Sequence, residues 1–199
     1  MLGDRFDRAL VYASHVHGGQ VRKGTTAIPY LSHLLMVAGL VLEYGGDEDE
    51  AIAALLHDAV EDQGGLARRL DIDCRFGPRV AAIVDGCTDA VGSPKPAWRA
   101  RKEAYLRHLD TVSASARLVS AADKLANVRS IIKDYRAFRS DVWGRFNGGR
   151  EGTLWYYRAL ADAYTRLGPP PLAAALSAAI RELEALLALD DAASPEGLS

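Results

Sequence analysis

Cysteine is scarce in this chain of 199 residues: there are two, Cys74 and Cys87, and their spacing matches no metal-binding knuckle. A disulfide framework and a zinc-finger module are both excluded. An excess of one charge is also missing. Twenty-four Lys and Arg stand against 26 Asp and Glu, for a net charge of −2. That argues against an overall basic nucleic-acid binder and leaves only a local basic patch open. No run of about 18 apolar residues occurs, so no membrane span is expected. The segment Met1-Leu2-Gly3-Asp4-Arg5 turns amphipathic at once and has no apolar signal core. The expected location is therefore cytoplasmic, with both thiols reduced. Internal repeats and strand-like alternation are absent too.

What remains is helix. Apolar residues make up 49% of the chain and charged residues 25%, ordinary for a globular protein. A chain of this length buries roughly 70% of its unfolded surface and needs no staple. Helical spacing of Phe6, Leu10, Val11 and Ala13 predicts a first helix over 4–17, with Asp4 as its cap. Gly18-Gly19 ends it, and the basic loop Gln20-Val21-Arg22-Lys23-Gly24 follows. A second helix is predicted over 31–44. A third is predicted over 48–62, capped by Asp47 and carrying the run Ala51-Ile52-Ala53-Ala54-Leu55-Leu56. A short helix to Leu70, one from Pro78 to near Gly86, a loop over 92–96 and a charged helix over 97–109 come next. Ser113 opens a long helix to about Tyr135. The last two are predicted over 151–167 and from Pro171 to about Leu189, with a frayed polar tail over 190–199. The fold class is all-α: an irregular multi-helix bundle.

The third helix ends in an anomaly. His57-Asp58-Ala59-Val60-Glu61-Asp62 places four ionisable groups in six positions after an apolar run. His57 and Glu61 are i,i+4 neighbours, as are Asp58 and Asp62. Burying these carboxylates without partners is very costly, and a divalent cation removes that cost. The plain alternative is a helix end that has become solvent-exposed. His33 stands on an otherwise apolar helix in Pro29-Tyr30-Leu31-Ser32-His33, as a ligand or as a satisfied core residue. Asp123 lies in Ala122-Asp123-Lys124-Leu125-Ala126-Asn127, with Asn127 one turn later. That stripe is either the polar face of an amphipathic helix or the wall of a site. Together His33, His57, Asp58 and Asp123 form a two-histidine, two-carboxylate set. Such a set suits Mn(II), Fe(II) or Zn(II), and the absence of thiolate with phosphate chemistry favours one Mn(II) ion.

These segments resemble the HD superfamily of metal-dependent phosphohydrolases, and more narrowly the hydrolase domain of the RelA/SpoT-type alarmone enzymes. The match is carried by His17-Gly18-Gly19-Gln20-Val21-Arg22-Lys23-Gly24, by Pro29 to His33, by Leu55-Leu56-His57-Asp58-Ala59-Val60-Glu61-Asp62, and by Ala122 to Asn127. Phe76-Gly77-Pro78-Arg79-Val80 and Val84-Asp85-Gly86-Cys87-Thr88 resemble the family's connecting helix. The resemblance runs over about 5–135, within a single hydrolase domain over 1–189 that adds helices over about 151–189. The chain ends too soon for a synthetase domain, so it resembles the small stand-alone hydrolases.

The resemblance implies hydrolysis of the 3′-diphosphate of guanosine tetra- or pentaphosphate to GDP or GTP plus pyrophosphate. His33, His57, Asp58 and Asp123 would hold the ion. Glu61 and Asp62 would handle protons, with base and acid not distinguishable from sequence. Arg22 and Lys23 would grip the diphosphate, and Asn127 would contact sugar or phosphate. Lys102 is a further candidate for the substrate phosphates, against the simpler reading of an exposed charged face. His15 and His17 read as structural. The expected partner is a small nucleotide, with no nucleic acid and no membrane. Two alternatives stand beside this: an HD hydrolase for a nucleoside monophosphate, an adenosine alarmone or NADPH, and a non-catalytic nucleotide-sensing module.

Overall fold

A computed structural model describes residues 2–24, 27–88 and 96–193. Among these residues the chain forms α1 (Asp4–Val16), α2 (Leu31–Glu43), α3 (Glu48–Leu56), α4 (Ala59–Asp62), α5 (Gly65–Phe76), α6 (Pro78–Cys87), α7 (Trp98–His108), α8 (Ala114–Phe138), a 3-10 segment (Arg139–Arg145), α9 (Gly149–Leu167) and α10 (Pro170–Ala193). The described residues contain no strand, only an isolated bridge between Val21 and Pro29. The all-α expectation holds, and no helix of the described residues is long and apolar enough to cross a membrane.

Helix α3 is the hub, for a reason visible in its residues. Asp47 and Glu50 form a reciprocal capping box that satisfies two orphan amides and fixes the start. Ala51 to Leu56 are then all fully buried, so α3 is apolar on every side. It packs against α1, α2, α6 and α8. The 25-residue α8 starts at Ser113, whose hydroxyl accepts from the Ala116 amide, and runs along α2, α3, α6 and α10. Its approach to α6 needs Gly86: a Cβ there would lie 2.6 Å from that of Ala116.

Several boundaries differ from the sequence reading. The expected 48–62 helix is interrupted: α3 stops at Leu56, His57 and Asp58 form a turn, and α4 begins at Ala59. Asp4 is the first helical residue rather than the cap. Gly3 precedes it, and its amide donates to Glu48 at 2.7 Å. Helix α5 continues past Leu70 to Phe76, supported by the i,i+4 pairs Arg69–Asp73 and Arg75–Asp71. Helix α10 does not fray at 190. Asp190 accepts from the Tyr135 hydroxyl at 2.6 Å, and Asp191 accepts from both terminal nitrogens of Arg150. These bonds pin the helix end to α8 and α9. Residues 92–95 of the expected loop and 194–199 of the expected tail lie outside the described residues.

Candidate metal centre

His57 is delivered to the interior by the end of α3. Its Nδ1 lies 2.8 Å from the Ala54 carbonyl oxygen and donates to it, which leaves Nε2 as the nitrogen turned toward the cluster. That Nε2 is buried and has no hydrogen-bond partner. His33 reaches the same point from α2, with the two imidazoles edge to face at 5.3 Å. Asp58 comes from the turn after α3, and Asp123 from the middle of α8. His33 Nε2 stands 3.1 Å from Asp123 Oδ1 and 3.7 Å from Asp58 Oδ2. His57 Nε2 stands 3.0 Å from Asp58 Oδ2 and 3.7 Å from Asp123 Oδ1. The four side chains that the sequence singled out thus converge from helices α2 and α8 and from the turn between α3 and α4.

A divalent cation fits this arrangement. Nitrogen and oxygen ligands about 2.1 Å from a common ion stand roughly 3–3.5 Å from one another. Here the histidine–carboxylate pairs stand at 3.0–3.7 Å, and ligand atoms of His33, His57 and Asp58 all lie within 4.8 Å of one another. The orphaned His57 Nε2 is the more telling observation. A buried nitrogen 3.0 Å from a carboxylate oxygen yet without a hydrogen bond is costly, and a cation between the two would satisfy both. Imidazole and carboxylate with no thiolate suit Mn(II), Fe(II) or Zn(II). The side chains of His33 and His57 are 2% and 3% exposed, Asp123 is 8% and Asp58 is 24%, so the cluster opens on the Asp58 side.

The electrostatics favour ionised ligands. Burial opposes ionisation of Asp123, but the ammonium of Lys124 and the two imidazoles outweigh it and hold the carboxyl well below its usual range. Asp58 is lowered against the same burial by His57. Burial disfavours the His57 imidazolium, yet Asp58 and Asp123 raise it well above the ordinary value. Metal binding would displace that proton.

Around the four lies a ring of partners. The Tyr30 hydroxyl donates to Asp58 Oδ2, while its ring stacks on His17 at 5.4 Å. Lys124 Nζ donates to Asp123 Oδ2 at 2.6 Å, and Asn127 Nδ2 donates to Asp123 Oδ1 at 2.5 Å. Lys124 is wedged beneath Tyr105. Sequence reasoning missed Tyr30 and Lys124, although both sit inside the quoted motifs. It also missed Gln20, which bridges His17, Asp62 and Gln63 at 2.7–2.8 Å. His17 is buried in this outer network, as a structural histidine should be, whereas His15 is exposed on α1.

Tyr30 gives a direct test of how these partners act. Tyr30→Phe removes only the oxygen that orients Asp58. Metal affinity measured by titration calorimetry is expected to fall about 10- to 100-fold with the fold intact. Unchanged affinity would show that Asp58 needs no such support.

The remaining candidates are placed less centrally. Glu61 is half-buried on α4. Asp62 follows it, accepts from Gln20 at 2.8 Å, and is raised by burial and by the nearby charges of Asp58 and Glu61. Arg22 Nη2 donates to Asn127 Oδ1 at 3.2 Å, two hydrogen bonds from the cluster's Asp123. Lys23 is exposed on the same loop. Lys102, on α7, stands with Nζ 4.8 Å from the Tyr156 ring centroid.

A family described as the HD domain matches residues 9–154. The chain belongs to the HD domain family. Among curated relatives, this HD domain chain is 38% identical over 122 residues to the guanosine-3′,5′-bis(diphosphate) 3′-pyrophosphohydrolase MESH1 of Xenopus tropicalis, covering 60% of this chain and 65% of that one. The Drosophila melanogaster MESH1 is 34% identical over 129 residues, 64% of this chain and 69% of that one. The GTP pyrophosphokinase rsh of Brucella ovis is 37% identical over 128 residues, 63% of this chain but 16% of its own length. The chain therefore spans just under two thirds of the frog relative and a small part of the bacterial one. Among solved structures, a metazoan ortholog of SpoT that hydrolyzes ppGpp superposes with a TM-score of 0.74 at 26% identity, covering 92% of this chain and 97% of that one. The lmo0812 structure from Listeria monocytogenes EGD-e gives 0.65 at 27% identity, covering 76% and 97%.

Proposed function

We propose that this HD domain protein is a cytoplasmic, Mn(II)-dependent hydrolase that removes the 3′-diphosphate of guanosine tetra- or pentaphosphate, releasing pyrophosphate and GDP or GTP. The observation that carries the reading is the buried Nε2 of His57, which faces His33, Asp58 and Asp123. The relatives named for this same reaction support the substrate.

His33, His57, Asp58 and Asp123 hold the ion. When bound, it supplies charge stabilisation at the phosphoryl oxygens and lowers the pKa of water in the site. Water adds to the phosphorus attached to the ribose O3′, the P–O3′ bond breaks, and O3′ leaves with a proton. Glu61 and Asp62 are the carboxylates on hand to take the first proton and return the second. The shared network of Gln20 and His17 orients Asp62. Arg22 and Lys23 bind the diphosphate, Arg22 through a fork suited to two oxygens. Asn127 ties Arg22 to Asp123, so substrate charge and metal ligand are linked through one amide side chain.

Presenting Mn(II)-loaded protein with guanosine tetraphosphate, GMP, an adenosine alarmone and NADPH in one mixture tests the substrate. Chromatography is expected to show consumption of guanosine tetraphosphate well ahead of the others, with GDP as product. Preferential loss of NADPH or of a monophosphate would replace the substrate and keep the centre.

A further inference from the structure

The loop carrying Arg22 and Lys23 is fixed at its base. Val21 bridges Pro29, the Arg22 amide donates to the Ile28 carbonyl at 2.9 Å, and the Tyr30 amide donates to Gln20 at 2.9 Å. Further out, a residue 122 positions away holds it. Arg145, at the end of the 3-10 segment, donates from Nη1 to the Lys23 carbonyl at 3.2 Å. Its Nη2 bonds Asp134 of α8 at 2.5 Å. Both side chains of that pair are only 19% exposed. The neighbouring Gly24 leaves the space the guanidinium uses: a Cβ there would come within 2.8 Å of Arg145 Nη1.

We propose that Arg145 is a positioning residue for substrate, clamping the diphosphate-binding loop to the metal-bearing helix α8 with Asp134 as its anchor and Gly24 as the opening that admits it. The proposal rests on the function above for the identity of the ligand. The physical reasoning is that a cationic loop binds a polyanion tightly only if its ordering is settled before the ligand arrives. One guanidinium serves both ends because its fork presents separate donors to a carboxylate and a carbonyl. A lysine offers one point of charge and cannot span them. Asp134 lies eleven positions after Asp123 on the same helix, so the clamp ties loop and centre to one rigid element.

The test compares Arg145→Ala, Arg145→Lys, Gly24→Ala and Arg22→Ala, with Arg145→Ala also combined with Arg22→Ala. With guanosine tetraphosphate, Arg145→Ala is expected to raise KM about tenfold with kcat within about twofold, a loss of uniform binding. Gly24→Ala displaces the guanidinium without removing it and is expected to raise KM similarly, and Arg145→Lys is expected not to rescue. Because Arg145 acts through the loop, and Lys23 remains on that loop, the double variant is expected to bind worse than Arg22→Ala alone but by clearly less than the sum of the two single losses. Hydrogen exchange at the Val21 to Gly24 amides, measured without substrate, is expected to speed up in Arg145→Ala. That readout stands whatever the substrate proves to be. Unchanged exchange and unchanged KM, with only a lowered melting temperature, would overturn the proposal. Additive losses in the double variant would overturn it too, by showing that Arg145 contacts substrate itself.

Discussion

Asp58→Ala is expected to lower turnover of guanosine tetraphosphate by on the order of a thousandfold or more and to abolish stabilisation by Mn(II). Asp58 Oδ2 lies 3.0 Å from His57 Nε2 and 3.7 Å from His33 Nε2, so its loss removes the ligand that closes the cluster toward solvent. In the native chain, an ion at about a hundred times its Kd adds roughly 2.7 kcal/mol to stability. For a domain of this size that is a rise of about 5–10 °C in Tm, reversed by chelator. Differential scanning calorimetry with and without metal reads this effect apart from catalysis. Asp58→Asn refines the result, because it keeps an acceptor for Tyr30 while removing the charge. If Asp58→Asn behaves like alanine, the carboxylate's charge matters more than the orientation of Tyr30. A metal-induced Tm rise that survives both substitutions would place the ion elsewhere.

Glu61→Gln is the second large effect, and it has the opposite signature. The substitution keeps shape and removes the proton acceptor one turn beyond His57. Its kcat is expected to fall about 10²- to 10⁴-fold, the ordinary range for loss of a positioned acid or base. Metal affinity and the Mn(II)-dependent Tm rise are expected to stay near native. Glu61 therefore separates from Asp58 in calorimetry even though both variants look inactive in an assay. A parallel loss of metal affinity would make Glu61 a ligand instead.

Much of this was legible in the residues. The cap Asp47 and the unbroken apolar run from Ala51 to Leu56 mark the start and the burial of α3 correctly. The interruption at His57 and Asp58 was not legible. Both residues keep right-handed helical angles, φ −60° and −98°, and neither glycine nor proline marks the turn. The reach of α5 was hidden for a different reason. Leu66 and Leu70 are exposed, so the apolar pattern there does not follow burial, and charge pairs carry the helix onward. The end of α10 depends on Tyr135, Arg139 and Arg150, which lie 41 to 55 positions away. Local sequence carries no trace of such partners.

The site divides in the same way. His33, His57, Asp58 and Asp123 stood out because ionisable groups inside apolar helices need a reason to be there. The structure brings all four together. Nothing in the sequence sets Lys124 or Arg145 apart, since nothing local distinguishes a buried ion pair from an exposed one. Each acquires its meaning from a partner: Lys124 from the Asp123 carboxylate at 2.6 Å, and Arg145 from the Lys23 carbonyl at 3.2 Å.

The most direct measurement is pyrophosphate release from guanosine tetraphosphate by the folded chain, first stripped of metal and then titrated with Mn(II). The expected result is silence in the stripped sample and activity that climbs to a plateau at one ion per chain, with GDP formed in step with pyrophosphate. Release of pyrophosphate in the stripped sample, or none from folded protein carrying one ion, would contradict the account.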